Sequence, residues 1–186
     1  MYLDGHIYHI FNRGAHRAKM YRNPFQFDLC LRIFERYQAK SNVEILAFCL
    51  MPNHYHLLLR QVNGGSIGSF LKVSFNAYVQ SYNVIEHHSG TILQGPPKKR
   101  EVETEEYFQN LVRYIHFNPV AARLVTKPED WDYSDYRQWV GFEPFRFQGF
   151  ALRNELFEDA GGYKRFAEIY QTTAPKLDKD YLAFEN

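Results

Sequence analysis

With 186 residues, 45% of them apolar, the chain is long enough for one compact domain, or one domain with a modest extension, to bury a core without disulfide staples. No run reaches the eighteen apolar residues of a membrane span, and the opening MYLDGHIYHI lacks the cationic stretch of a signal peptide, so the chain is expected to have no membrane partner. The net charge of +1 hides a segregation: residues 1–100 carry twelve Lys or Arg against five Asp or Glu, and residues 101–186 ten against sixteen, which permits a cationic groove for a phosphate backbone.

Residues 7–11 (IYHIF) are strand formers that run into the turn signal Asn12-Arg13-Gly14. After Pro24, Leu29, Cys30, Ile33, Phe34 and Tyr37 recur at helical spacing and predict an amphipathic helix over 25–40. Residues 43–50 predict a second strand, broken at Met51-Pro52-Asn53, with 54–59 as its antiparallel neighbour. Gly64, Gly65 and Ser66 form a loop in which Ser66 or a neighbour caps a helix over about 68–83. Gly90, Gly95, Pro96 and Pro97 leave room for at most a short strand around 91–93. Thr104, followed by Glu105 and Glu106, starts a helix whose stripe Phe108, Leu111, Val112 and Ile115 packs on the sheet, and Pro119 should stop it. The order predicts an α+β fold: an antiparallel or mixed sheet with helices on one face, for which a ferredoxin-like two-layer sandwich is the natural choice. Beyond Gly141, a Phe-rich stretch at 142–150, a helix near 163–170 and an acidic end read as an appendage. Cys30 and Cys49 sit inside apolar runs without CxxC spacing and read as buried free thiols, which makes a reducing, cytoplasmic location the expectation.

On the strand starting at His54, alternation sends His54, His56 and Leu58 to one face, so two imidazoles can reach a common ion. Two histidines do not fill a coordination shell, and the same pair also suits a half-exposed strand. On the helix before Pro119, Tyr114 and Asn118 are i and i+4 neighbours on one flank of the apolar stripe. Asn118 offers a hard oxygen ligand beside two imidazoles, or serves as a helix cap; Tyr114 is a nucleophile or a marginal aromatic. Tyr78 and Tyr82, also i and i+4, are rival tyrosines that periodicity does not exclude. A phenol is a poor nucleophile at neutral pH, whereas a cation on the scissile phosphate would favour phenolate attack and stabilise the added charge. Arg13, Arg17, Lys98, Lys99 and Arg100, at turn or loop positions of the basic part, are the candidate phosphate contacts.

Five spaced stretches, YHIFNRGAHR, LAFCLMPNHYHLLL, SGTILQG, LVRYIHFNPVAARLV and WDYSDY, resemble in order the IS200-like single-tyrosine transposases, and in particular the branch associated with repetitive extragenic palindromes. The resemblance spans about residues 3–141. It implies a ferredoxin-like (RRM-like) HUH endonuclease domain over 1–141 with a C-terminal helical extension over 142–186. It also implies a Mg2+ or Mn2+ ion held by His54, His56 and Asn118, Tyr114 as the covalent nucleophile, and single-stranded or hairpin DNA as substrate. Members of the repeat-associated branch look monomeric, which favours a monomer over the helix-sharing dimers of related insertion-sequence enzymes. One departure stands out: members follow the Gln-Gly dipeptide with Arg, an aromatic residue and Lys, where this chain has Pro96, Pro97 and Lys98. Two rivals remain at this level. One is a DNA-binding protein of the same scaffold without transposition, and the other a metal phosphodiesterase that uses water; a covalent protein-DNA product separates the second from the transposase.

Overall fold

The computed structural model describes residues 1–169. Strand β1 (Ile7–Arg13) leads to helix α1 (Pro24–Gln38), strands β2 (Val43–Met51) and β3 (His54–Gln61), helix α2 (Ile67–Ile85), strand β4 (Lys98–Glu101) and helix α3 (Glu105–Ala121). Three shorter helices follow: α4 (Tyr136–Trp139), α5 (Gly149–Phe157) and α6 (Ala160–Ile169). The helix starts follow from local chemistry. Asn23, Ser66 and Thr104 each turn a side-chain oxygen onto an otherwise unpaired amide, of Gln26, Ser69 and Tyr107 respectively, and Pro24 needs no donor in the first turn.

The four strands form one antiparallel sheet in the order β2-β3-β1-β4. With α1 and α2 as the two crossovers, this is the expected ferredoxin-like β-α-β-β-α-β arrangement. Strand alternation splits the apolar side chains between two cores. Tyr8, Ile10, Tyr55, Leu57 and Leu59 pack with α1 and α2. Leu58 packs with α3 on the other face, joined by Leu46, Ala47, Cys49 and Met51, because a bulge between Ile45 and Ala47 turns Leu46 and Ala47 to the same side. Burial pushes the Cys30 thiol up to about 12 and that of Cys49 well above its ordinary value, so both are inert where they sit.

Three expectations need correction. Helices cover both faces of the sheet, not one, since β2 is apolar on both sides and the second face must also be buried. The fourth strand is Lys98–Glu101, directly after the two prolines, whereas Leu93 makes only an isolated bridge to Gly14. Helix α3 also runs through Pro119 to Ala121. The proline lies in the last turn, where it removes only its own donor, and the Ala122 and Leu124 amides close the end on the carbonyls of Asn118 and Pro119.

The chain after α3 seals the outer edge of β2. The Trp131 indole donates to the Leu50 carbonyl at 3.0 Å and the Leu50 amide to the Tyr133 carbonyl at 2.8 Å. The Phe48 amide donates to Asp135 Oδ1 at 2.8 Å, and the Ile45 amide to Gln148 Oε1 at 3.3 Å. Asp135 also accepts from Trp139 Nε1 and from His116 Nε2, both at 2.9 Å, and the other His116 nitrogen meets the Tyr163 hydroxyl. Helix α3 is thus tied on its outer side to β2, α4 and α6. The helix expected near 163–170 is α6 as far as Ile169; Tyr170 and the acidic end lie outside the described residues.

Candidate active site

Strand β3 presents His54 and His56 on the α3 face, and the last turn of α3 lowers Asn118 between them. Asn118 Oδ1 lies 3.2 Å from His54 Nε2, and Asn118 Nδ2 lies 3.4 Å from His56 Nε2. One turn earlier, the Tyr114 ring stands edge-on to the His56 ring, with centroids 5.5 Å apart. Exposure is 1% for His56, 2% for Asn118 and 5% for Tyr114, so the cluster sits where charges are weakly screened. The four residues expected to act together are therefore neighbours.

Burial holds the His54 pKa below its ordinary value, against the hydrogen bond that the protonated ring would give to Asn118 Oδ1 and with help from Arg13. His56 is pushed well down by burial and by its neighbours His9 and His54. Both imidazoles are thus neutral, as ligand imidazoles must be. A neutral His54 donates to one oxygen only, Asn53 Oδ1 at 2.8 Å from Nδ1 or Asn118 Oδ1 at 3.2 Å from Nε2; with the proton on Nδ1, the Nε2 lone pair is free for a cation. That lone pair faces the Asn118 carbonyl oxygen, itself a lone-pair donor. Turning the amide round moves the oxygen to His56 Nε2 without removing an oxygen from the meeting point. Two imidazole nitrogens and an amide oxygen that converge in this way fit a hard divalent cation, with its remaining positions left to water or phosphate oxygens. No group of three His, Cys, Asp or Glu that could hold a metal gathers among the described residues.

The rival tyrosines lie across the sheet, in the core of α1 and α2. The Tyr78 hydroxyl donates to the Met20 carbonyl at 2.6 Å, and burial raises its pKa further from a nucleophile's range. The Tyr82 hydroxyl accepts from Arg22 Nε at 3.1 Å. Of the five expected phosphate contacts, Arg13 and Arg17 border one open pocket of about 390 Å3 with Ala15, His16 and Gln94. Arg13 hydrogen-bonds Gln94, and Arg17 follows His16 with both residues at positive φ, 60° and 53°. The register of β4 divides the other three: Lys98 and Arg100 oppose Phe11 and His9 on the face of His56, while Lys99 opposes Ile10. Lys99 Nζ donates to the Met1 carbonyl at 2.7 Å and lies 4.6 Å from the Tyr2 ring centre, so it clasps the N-terminus.

Sequence reasoning passed over His9. Its Nε2 lies 2.9 Å from His56 Nδ1, and burial with the nearby Arg100 pushes its pKa down to about 3. The signal was available: in IYHIF, His9 and Phe11 alternate away from the apolar Tyr8 and Ile10. The His116–Asp135 pair was also passed over, although WDYSDY had been noted as a motif.

The family described as "Transposase IS200 like" matches residues 3–116. A solved REP-associated tyrosine transposase bound to a REP hairpin superposes with a TM-score of 0.66 at 18% identity, covering 77% of this chain and 86% of that one. A Deinococcus radiodurans R1 protein described as a candidate transposase gives a TM-score of 0.45 at 19% identity, over 58% of this chain and 87% of its own. No curated protein matches. The first likeness agrees with the fold, and the family match covers more than half of the 186 residues: the chain belongs to the IS200-like transposase family.

Proposed function

We propose that the protein is a metal-dependent, HUH-type endonuclease and strand transferase acting on single-stranded or hairpin DNA through a covalent phosphotyrosine. The observation that carries this reading is the meeting of His54, His56 and Asn118 beside Tyr114 in a chain of this family. His54, His56 and Asn118 would hold Mg2+ or Mn2+, which when bound would neutralise the scissile phosphate and steady the charge that builds during attack. The Tyr114 oxygen forms a bond to phosphorus as the bridging P–O bond breaks, and the phenolic proton ends on the departing DNA hydroxyl. A phosphotyrosine diester keeps the bond energy, so the same hydroxyl reseals the strand without ATP.

Arg13 and Arg17 at the rim pocket, with Lys98 and Arg100 on the face of the site, supply phosphate contacts; Lys99 belongs to the same basic strand. We assign the chemistry to residues 1–141 and treat 142–186 as an extension, of which α5 and α6 pack into the core behind α3. Hairpins of repetitive extragenic palindromes are the substrate class to test first, given the complex solved for the structural relative. The acting species is a monomer and its location cytoplasmic, readings that sedimentation and the reduced state of Cys30 and Cys49 in cells would check. The central test is incubation with structured single-stranded DNA and Mn2+, denaturation, and mapping of any peptide that carries nucleotide mass. An adduct on Tyr114 supports the reading. Cleavage without any adduct favours the water-using phosphodiesterase.

A further inference from the structure

His9 comes from a different strand than the candidate ligands, yet it makes the closest polar contact to one of them. In the register of β1 against β3, Phe11 faces His56 directly and His9 lies on the diagonal, on the same side of the sheet. The His9 and His56 rings stack at 5.1 Å with 19° between planes, and Phe11 stacks on His9 at 4.7 Å and on His56 at 6.0 Å. This packing fixes both imidazoles, and His9 itself is fully buried.

The contact between His9 Nε2 and His56 Nδ1 is 2.9 Å long and holds one proton between two neutral rings. If the proton sits on His9, His56 must carry its own on Nε2 and cannot ligate. If it sits on His56 Nδ1, the Nε2 lone pair is released toward Asn118. Ligation by His56 Nε2, which faces Asn118, requires the second arrangement, in which His9 Nε2 at 2.9 Å is the acceptor for the Nδ1 proton. His54 has the corresponding acceptor in Asn53 Oδ1, 2.8 Å from its Nδ1.

We propose that His9 is a positioning residue: by accepting the Nδ1 proton of His56 it fixes the tautomer in which His56 Nε2 faces the cation. The proposal rests on the metal reading above and deepens it. A ligand imidazole whose second nitrogen has a fixed acceptor is oriented and made more basic, and loss of such an acceptor weakens metal affinity by roughly 10–100-fold.

The test uses the full chain and Mn2+ alone. Imidazole proton–nitrogen correlations in the metal-free wild type are expected to show His56 protonated at Nδ1. His9→Leu should shift His56 toward the Nε2-protonated form and weaken Mn2+ binding, followed by titration calorimetry, by roughly 10–100-fold. His9→Gln returns an acceptor oxygen and should recover much of that loss; thermal unfolding of each variant shows whether the fold is kept, and the Gln variant serves if the Leu variant is not folded. His56 protonated at Nε2 in the wild type overturns the proposal. So does unchanged Mn2+ affinity in a folded His9→Leu protein while His54→Ala abolishes binding. Equal Mn2+ binding by wild type and His54→Ala instead overturns the metal reading, and the proposal with it.

Discussion

Asn118 Oδ1 stands 3.2 Å from His54 Nε2, so the last turn of a helix and the first residue of a strand share one polar contact although they are 64 positions apart. Removing the imidazole breaks the cluster without touching the sheet's apolar faces. His54→Ala should therefore lower cleavage by more than the roughly 10–100-fold that follows loss of a ligand's supporting partner. Most DNA affinity should persist, because backbone contacts supply it. Single-turnover cleavage and oligonucleotide binding, measured on the same preparation, check this; equal loss in both would make His54 a structural residue.

Tyr114→Phe keeps the ring against His56 and deletes only the oxygen. The covalent protein-DNA species should disappear while Mn2+ binding stays. Tyr78→Phe should keep the adduct but lose about 1–3 kcal/mol of stability, because the buried Met20 carbonyl loses its donor. Denaturing gels and urea unfolding separate the two effects.

Acid should unfold this protein early. His9 and His56 have folded pKa values below the unfolded 6.5, so below pH 6.5 the unfolded chain binds more protons than the native one. Their neutral burial costs nothing above pH 6.5, and stability falls as pH drops from there toward about 3, the folded value for His9. Each such histidine contributes a slope of up to about 1.4 kcal/mol per pH unit. Urea midpoints recorded between pH 7.5 and 5 should fall, and His9→Phe should flatten the curve.

The register of β4 predicts an asymmetry among its cations. Joint removal of Lys98 and Arg100, on the face of the site, should reduce the slope of log affinity against log salt by about 1.4 for a single strand. Lys99→Ala should leave the slope nearly unchanged and loosen the N-terminus, to which its ammonium is bonded. A slope change of the same size for Lys99→Ala would mean that all three meet phosphate.

Asp135→Ala would leave the Phe48 amide, the Trp139 indole and His116 Nε2 without their buried acceptor. Each loss costs about 1–3 kcal/mol, enough together to threaten the fold. Chemical denaturation should show a large drop in midpoint, far beyond the effect of Asp132→Ala on the exposed neighbouring carboxylate.

The sequence displayed the site more clearly than the layers around it. His54 and His56 were legible because alternation on a strand is rigid, and Tyr114 with Asn118 because a turn of helix brings i and i+4 together. Periodicity could not tell Tyr114 from Tyr78, since each lies on a helix flank; only tertiary placement puts Tyr78 on the far side of the sheet. Strand β4 was missed because it is an edge strand of sequence KKRE, with no apolar alternation to announce it. The second layer of helices was announced by the near-continuous apolar run of β2, which has no polar face to give to water. The buried partners of His116, Asp135 and Tyr163, lie 19 and 47 positions away, beyond the reach of any local pattern.

The chain between Trp131 and Gln148 occupies the outer side of β2, and this governs how two molecules can meet. A strand from another copy would find the Ile45, Phe48 and Leu50 amides already taken, by Gln148, Asp135 and Tyr133. At the opposite border stands β4, four residues long, preceded by two prolines and composed wholly of charged side chains, a poor template for a neighbour's backbone. The sheet is thereby closed to growth at one border and inhospitable at the other, so self-association and fibre-like stacking through strand addition are resisted.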